Sequence, residues 1–263
     1  MARFFEKSVT IYLFLGYFGY MHKFFVSSDA ISNSTVVITG TDARHISFSL
    51  RMKKGEKICV SSSEGETYLC IIVGFAEGNV FARIESVLQA SSESPCRIRL
   101  FQALPKGDKL EVIIQKAVEC GVYSVTPFES RFCIAKVGDT AKKLERWNRI
   151  ALEAAKQCGR SVVPKVLPPV SYERAIKEAS EDALSLFCYE NERSRMLGSV
   201  LKQDASDCIS IVVGAEGGFS QEEISFAESN GLTVVGLGPR ILRCETASGF
   251  VLACISLCRE LTD

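Results

Sequence analysis

Two uninterrupted apolar runs constrain the fold of this chain more than any other feature of the sequence. "LSLFCYE" occupies residues 184–190, and "CISIVVG" occupies residues 208–214. Apolar runs of strand length, without the alternation of a half-exposed strand, are typical of parallel strands covered on both faces. From residue 97 onward, further strand-like segments alternate with amphipathic helices. The sequence therefore predicts an α/β domain with a mostly parallel sheet.

The segments that precede those runs follow the same alternation. "RIRLFQAL" at residues 97–104 and "VYSVTPF" at residues 122–128 are predicted strands. The segment between them predicts a helix whose apolar face consists of Leu110, Ile113, Ile114, Ala117 and Val118. Residues 142–160, "KKLERWNRIALEAAKQCGR", predict a second amphipathic helix, along one edge of which lie Glu153, Gln157 and Arg160.

Residues 22–92 have a different pattern. Short strand-like segments are separated there by Gly, Ser, Asn and Asp, which predicts a small β-barrel. "QASSESP" at residues 89–95 is polar and ends in a proline, so it marks the predicted domain boundary. Within the barrel, Asp42 is predicted to cap a helical turn. Solvated charge and contact with RNA phosphates are equally consistent with the basic cluster that follows, formed by Arg44, Arg51, Lys53, Lys54 and Lys57.

The N-terminus carries an apolar segment, "VTIYLFLGYFGYMHKFF". It is shorter than the ~20 residues that span a bilayer, and Gly16 and Gly19 interrupt it. No small-x-small cleavage site follows it, as a secretory signal peptide would require. Residues 1–21 are therefore predicted to be an extension, or an over-extended reading frame, that precedes the folded part.

Charge and cysteine content exclude several classes of protein. Lys plus Arg equals Asp plus Glu at 31 each, so an RNA partner must be met by a local basic patch. The eleven cysteines include no C-x-x-C pair, and only two histidines accompany them. This pattern fits neither a zinc site nor a disulfide framework, and it predicts no bound metal and reduced thiols in a cytoplasmic protein.

Two glycine-bearing turns follow the last predicted strands. In "VVGAEGGFSQEE", residues 212–223, the glycines permit close backbone approach, and Ser220 with Glu223 predicts a capping box. The spacing matches neither a P-loop nor a dinucleotide fingerprint. Glu216 would repel an anionic ligand, which favours a neutral or cationic adenosyl ligand. In "LGPRILRCETA", residues 237–247, large apolar side chains lie in a turn and need a cover.

These two segments resemble the two C-terminal motifs of the 16S ribosomal RNA uridine-N3 methyltransferase family, in the SPOUT class of S-adenosylmethionine-dependent enzymes. The resemblance extends to the helices at 106–122 and 146–160 and to "HISFSLRMKKGE" at 45–56, and it covers nearly everything from Lys23 to the C-terminus. It implies a SPOUT α/β domain with a C-terminal trefoil knot over residues 93–263. It also implies a PUA-like, RNA-binding β-barrel over residues 22–92, and a homodimer.

The activity that the resemblance implies is methylation of N3 of a specific uridine, in 16S ribosomal RNA or in the 30S subunit. Because the neutral imide is a poor nucleophile, the site must favour its anion. Arg160 is the predicted stabiliser of that anion, and Glu153 or Glu245 is the predicted proton acceptor. The predicted RNA-binding residues are Lys23, Arg51, Lys53, Lys54 and Arg131. The predicted S-adenosylmethionine-binding residues are Tyr189, Gly214, Glu216, Gly217, Gly218, Leu237, Gly238, Ile241, Leu242 and Thr246.

Two alternatives stay open. A SPOUT methyltransferase of the same architecture could modify a ribose hydroxyl or another base. A non-catalytic RNA-binding protein could use the barrel alone, although such a protein has no need of two glycine-rich turns at adjacent strand ends.

Overall fold

The structure is a computed structural model, and it describes residues 21–88, 92–133 and 140–261. The predicted N-terminal extension lies, apart from Met21, outside the described residues. The described residues divide into two compact units, of which the first combines residues 21–88 and 92 with Lys156–Val162 and the second contains residues 93–133, 140–155 and 163–261. Within the described ranges, no helix is long and apolar enough to cross a membrane.

The first unit contains a curled, largely antiparallel sheet that forms a half-barrel. Its strands run in the order β1-β4-β5-β6-β3-β2, and only the β1–β4 pair is parallel. The predicted PUA-like barrel is thereby confirmed. The strands are β1 (Lys23–Val26), β2 (Ile31–Ser32), β3 (Thr35–Ile38), β4 (Lys57–Ser62), β5 (Thr67–Ala76) and β6 (Asn79–Leu88).

A helical segment closes this half-barrel between β3 and β4. Helix α1 (Gly40–Arg44) continues into a π-helical turn at His45–Ser49. The prediction that Asp42 caps this segment was wrong, because the helix begins two residues earlier and Asp42 lies inside its first turn. The Asp42 carboxylate instead accepts a hydrogen bond from Lys156 Nζ at 2.9 Å.

The second unit is a parallel sheet with helices between its strands, which confirms the predicted α/β fold. Its strand order is β10-β8-β7-β12-β11-β13, and β9 pairs with β8. The strands are β7 (Arg97–Ala103), β8 (Ser124–Glu129), β9 (Lys165–Val166), β10 (Val170–Ser171), β11 (Leu184–Cys188), β12 (Cys208–Val213) and β13 (Thr233–Val235). The helices are α2 (Lys109–Glu119), α3 (Thr140–Cys158, whose residues from Lys156 onward belong to the first unit), α4 (Tyr172–Ala179), α5 (Leu197–Gln203), α6 (Gln221–Ser229) and α7 (Cys244–Glu260).

Apolar burial on both faces explains why the central strands of this sheet carry continuous apolar runs. In β11 and β12 the sheet interior is fully enclosed, and Leu186, Phe187, Ile211 and Val212 have no exposed surface. The predicted apolar face of α2 is also confirmed, since all of its predicted members are buried.

The register of the sheet brings the carboxyl ends of its last strands to one level. Phe187 of β11 pairs with Val212 of β12, and Cys188 pairs with Val235 of β13. Because these strands are parallel and adjacent, the three loops that follow them leave the same edge of the sheet. Open α/β sheets bind ligands at such an edge.

Candidate active site

A cleft opens at this edge, between the loops that follow β11, β12 and β13, and we call it the strand-end cleft. It holds about 520 Å³ of empty space, counting the part that opens to solvent. Its walls are Cys188, Tyr189, Glu190, Val213, Gly214, Ala215, Gly218, Phe219, Leu237, Gly238, Arg240, Leu242, Cys244 and Ala247.

The loop after β12 approaches its neighbours too closely for side chains at its glycines. A Cβ at Gly217 would lie 2.6 Å from Cβ of Phe132. Gly218 has a φ of +64°, and a Cβ there would lie 2.8 Å from Oε1 of Glu190. Only glycine adopts that left-handed conformation without a penalty. The close packing explains the glycine pair at this point of the sequence.

The capping box predicted at the end of this loop is confirmed. The Ser220 hydroxyl accepts from the Glu223 backbone N–H at 3.3 Å, and the Glu223 carboxylate accepts from the Ser220 N–H at 2.8 Å. The same carboxylate accepts the Arg131 backbone N–H at 2.8 Å. Helix α6 therefore starts at a fixed point and anchors both this loop and the turn that follows β8.

Gln102, at the end of β7, holds the base of the cleft and was not predicted from the sequence. It has no exposed surface, and its amide donates to the carbonyl oxygens of Val213 and Gly214 at 3.5 and 3.2 Å. The hydroxyl of Ser248 donates to its Oε1 at 2.5 Å. One buried amide therefore joins the loop after β12 to helix α7.

An ion-pair network fixes Glu216 at the rim of the same loop. Lys109 Nζ lies 2.7 Å from the Glu216 carboxylate and 3.9 Å from that of Glu245. The backbone N–H of Lys106 donates to Glu216 at 3.2 Å. Partial burial would raise the pKa of Glu216, but the hydrogen bond from Lys109 and the backbone donors hold it below its usual value. Both carboxylates are therefore ionised around one lysine.

The turn after β13 is held by the segment that follows β11. The backbone of Gly236 pairs with Met196 and contacts the carbonyl oxygen of Glu192 so closely that a Cβ cannot fit. Arg193 donates to the Gly238 carbonyl oxygen at 2.8 Å. Hydrogen bonds from the Ser194 hydroxyl and from backbone N–H groups lower the pKa of Glu192 to about 2. We call this set of contacts the clasp around Gly236. It fixes the position of the cleft wall that begins at Leu237.

The predicted cofactor-binding residues divide into two groups. Tyr189, Gly214, Gly218, Leu237, Gly238 and Leu242 line the cleft. Glu216, Gly217, Ile241 and Thr246 do not. Along the second turn, residues 240, 242 and 244 face the cleft, so the intervening Ile241 points outward and is 78% exposed. Helix α7 then begins at Cys244 and turns Ala247 inward but Thr246 outward.

The predicted catalytic residues occupy different elements. Glu245 lies in the first turn of α7, next to Cys244 of the cleft, whereas Glu153 is on the exposed side of α3. Arg160 belongs to the first unit and is 5% exposed. The pKa of Glu245 is lowered, first by its own backbone N–H and also by the Cys244 thiol and Lys109. A lowered pKa makes this carboxylate a weaker base.

The predicted RNA-binding residues are surface residues. Lys23 donates from Nζ to the Gly159 carbonyl oxygen at 2.9 Å, within the first unit. Arg51, Lys53 and Lys54 are exposed in the loop between the π-helical turn and β4. In the second unit, Arg131 lies 2.9 Å from the carboxylate of Glu222, and its own side chain is 60% exposed.

Sequence reasoning missed several cleft residues. Glu190 and Arg240 adjoin residues that were predicted, and proximity to the strand ends was an available signal for both. Phe219, which comes directly after the glycines, was also missed. Its ring packs on Phe187 with the two centroids 4.4 Å apart and forms part of the cleft wall. Nothing local to Gln102 or Lys109 indicates a role, since the residues of the loop after β12 that they bind lie more than a hundred residues away.

Comparison with known proteins gives consistent matches. A family described as an RNA methyltransferase domain matches residues 92–256, and one described as an RNA methyltransferase PUA domain matches residues 38–85. Ribosomal RNA small subunit methyltransferase E of Bacillus subtilis is 34% identical over 235 residues, which cover 86% of this chain and 91% of that protein. Its namesake from Synechocystis is 33% identical over 241 residues, covering 91% and 78%.

Among solved structures, ribosomal RNA small subunit methyltransferase E from Neisseria gonorrhoeae bound to S-adenosyl methionine superposes with a TM-score of 0.82. The two sequences are 32% identical, and the match covers 90% of this chain and 97% of that one. The similarity thus extends over both units.

Proposed function

We propose that this chain, which belongs to the ribosomal RNA small subunit methyltransferase E family, methylates N3 of a uridine in small-subunit ribosomal RNA. The methyl donor is S-adenosylmethionine, the ligand of the Neisseria relative. The observation that carries the proposal is the strand-end cleft, whose walls are the two glycine-bearing turns.

The residues of the cleft fit such a donor. Val213, Phe219, Leu237 and Leu242 offer apolar contacts for an adenine ring, and the glycines leave backbone groups accessible. Glu190 adds a carboxylate, which suits a ligand with a positive charge. A Cβ at Gly218 would meet that carboxylate, so the glycine leaves room for it at this position. When bound, S-adenosylmethionine supplies an electrophilic methyl group on a sulfonium.

The chemistry at the acceptor requires that the protein orient the base and stabilise the anion of the imide. We retain Arg160 as the proposed stabiliser of that charge and Glu153 as the proposed proton acceptor. Glu245 is the weaker candidate for acceptor, because its pKa is held below the usual range. Replacement of the true acceptor would lower kcat and shift the pH profile, while S-adenosylmethionine affinity would stay unchanged.

We also propose that the protein is a homodimer joined through α7. Phe250, Ala253 and Leu257 recur at helical spacing on its outer face, and Leu261 follows them. Phe250, Leu257 and Leu261 are 39%, 53% and 72% exposed, so the stripe is not buried within one chain. A second copy that presents the same stripe would cover it. Sedimentation of Leu257→Lys should show monomers, and a dimer that persists in this variant would exclude the stripe.

The remaining features of the proposal concern the path of the chain and the RNA. The clasp around Gly236 supports a C-terminal trefoil knot, because the segment after β11 pairs there with the turn after β13. Lys23, Arg51, Lys53, Lys54 and Arg131 are proposed to contact RNA phosphates. We place the reaction in the cytoplasm, which suits the eleven free cysteines.

The decisive experiment incubates purified protein with S-adenosylmethionine and undermethylated small-subunit RNA, both free and within assembled subunits. After digestion to nucleosides, mass spectrometry should find N3-methyluridine. A ribose-methylated nucleoside or another methylated base would refute the proposed acceptor, and RNA retention without cofactor binding would refute an enzyme altogether.

A further inference from the structure

Two large aromatic side chains on the first unit are exposed and line one groove, which we call the aromatic groove. Phe48 is 75% exposed and Phe75 is 43% exposed. The groove holds about 830 Å³ of space, counting its open side. It is lined by Arg44, Ser47, Phe48, Met52, Phe75, Ala76, Glu77, Gly78 and Asn79.

The packing of the half-barrel does not account for these two rings. Ala43 and Ile46 already fill the inner face of the helical segment, and both have no exposed surface. Phe48 lies two residues farther on and points away from that core. Phe75 lies near the end of β5, beyond the last buried position of the strand at Ile72. Exposed apolar surface of this kind marks a binding site.

The polar groups around the rings suit a nucleotide. Asn79 brings a side-chain amide, which can both donate to and accept from a base edge. The turn beside it is tight, with positive φ at Glu77 and Gly78, so its backbone lies at the surface. Among the residues that the structure describes, the Arg44 guanidinium forms no ion pair or side-chain hydrogen bond, which leaves it available for a phosphate.

The charge next to the groove is also complementary to RNA. Lys53 follows Met52, a groove residue, and consecutive Cα atoms are about 3.8 Å apart. Arg51 and Lys54 flank this pair, and all three basic residues are exposed. Glu77 is the single acidic residue among those that line the groove. Aromatic rings beside a basic track are the pattern by which proteins hold single-stranded nucleic acid.

We infer that the aromatic groove binds one unpaired nucleotide of the substrate RNA, at a position other than the methylated base. The base stacks on the ring of Phe48, Phe75 extends the apolar contact, and Asn79 meets the base edge. Arg44, Arg51 and Lys53 contact the adjoining phosphates. This inference rests on the proposed function, because it takes ribosomal RNA as the ligand, and it adds a subsite that fixes which part of the RNA the first unit holds.

The test uses the full-length protein and a short single-stranded RNA that carries the fluorescent base 2-aminopurine. Stacking quenches this base, so binding should lower its emission. Phe48→Ala should weaken binding about tenfold, or ~1.4 kcal/mol, which lies within the range for loss of one base–aromatic stack. Phe48→Trp should retain both affinity and quenching. Tyr123→Ala, at an aromatic residue that is 46% exposed outside the groove, is the matched control.

Calorimetry with S-adenosylmethionine separates this inference from the proposed function. Phe48→Ala should bind the cofactor normally and methylate saturating RNA at the normal kcat, with a raised KM for RNA. Unchanged RNA affinity and quenching in Phe48→Ala, in a protein that still methylates RNA, would overturn the subsite alone. A shift from dimer to monomer in sedimentation, with RNA affinity unchanged, would overturn it also, because the groove would then join two copies of the chain.

Discussion

Replacement of Gly218 by alanine tests whether the loop after β12 forms the cofactor site. The residue has a φ of +64°, and a Cβ there would lie 2.8 Å from Oε1 of Glu190. An L-residue in the left-handed region costs about 1–2 kcal/mol. For a domain of this size, such a loss should lower Tm by about 2–8 °C. The fold should therefore survive the change.

The effect on the cofactor should exceed the effect on stability. Glu190 lines the strand-end cleft, and its carboxylate is at the end of a flexible side chain. That carboxylate must therefore move away from the new methyl group. We expect S-adenosylmethionine to bind at least about tenfold more weakly, a change of ~1.4 kcal/mol. The bulkier Gly218→Val should abolish binding.

Gly231→Ala is the matched control, because Gly231 has a φ of +86° but no atom within 4 Å of its would-be Cβ. It follows α6 and does not line the cleft. Calorimetry and thermal unfolding should show similar losses of Tm in both variants and a loss of affinity only in Gly218→Ala. Wild-type affinity in Gly218→Ala, or an equal loss of affinity in Gly231→Ala, would refute the reasoning.

Three further predictions follow from single contacts. Gln102→Leu should lower the free energy of unfolding, measured in urea, by about 1–3 kcal/mol. The reason is that it leaves the Ser248 hydroxyl and the carbonyl oxygens of Val213 and Gly214 without their buried partner. An unchanged free energy of unfolding would contradict the role of Gln102 in joining the loop after β12 to α7. Lys109→Met should raise the pKa of Glu216, because the carboxylate loses the hydrogen bond and the positive charge of Lys109, and an NMR titration of the Glu216 carboxylate should show protonation at a higher pH than in the wild type. Because the folded-state pKa of Glu192 is about 2, below its unfolded value, its contribution to stability is present above that unfolded value and lost as pH falls toward 2; Glu192→Gln should flatten the dependence of Tm on pH in that window.

The sheet could be predicted because its signal is local. Strands β11 and β12 are apolar at every buried position except Ser185 and Ser210, and α2 carries its apolar face at helical spacing. The short elements gave no such signal. Strands β9 and β10 have two residues each, and the helix α5 begins where Leu197 donates to the carbonyl oxygen of Gly236, a residue far along the chain.

The location of the cleft was predictable, but its complete wall was not. Parallel strands place their following loops at one edge, so the two glycine-bearing turns could be assigned to a common site. Which side chains face inward depends on where α7 begins. A start at Cys244 puts that residue and Ala247 in the cleft and turns Thr246 away. Arg243, the N-cap, makes no side-chain capping hydrogen bond, so the sequence carried no capping signal for that start.

The order in which the chain is synthesised gives the wall at residues 237–247 a particular consequence. Gln102 is made early, but its partner Ser248 is translated 146 residues later. A nascent chain that stalls before Leu237 can carry every strand of both sheets and still lack one side of the cleft. A premature stop codon before Leu237 would thus remove helix α7 together with one wall of the cleft in which we propose that the methyl donor binds.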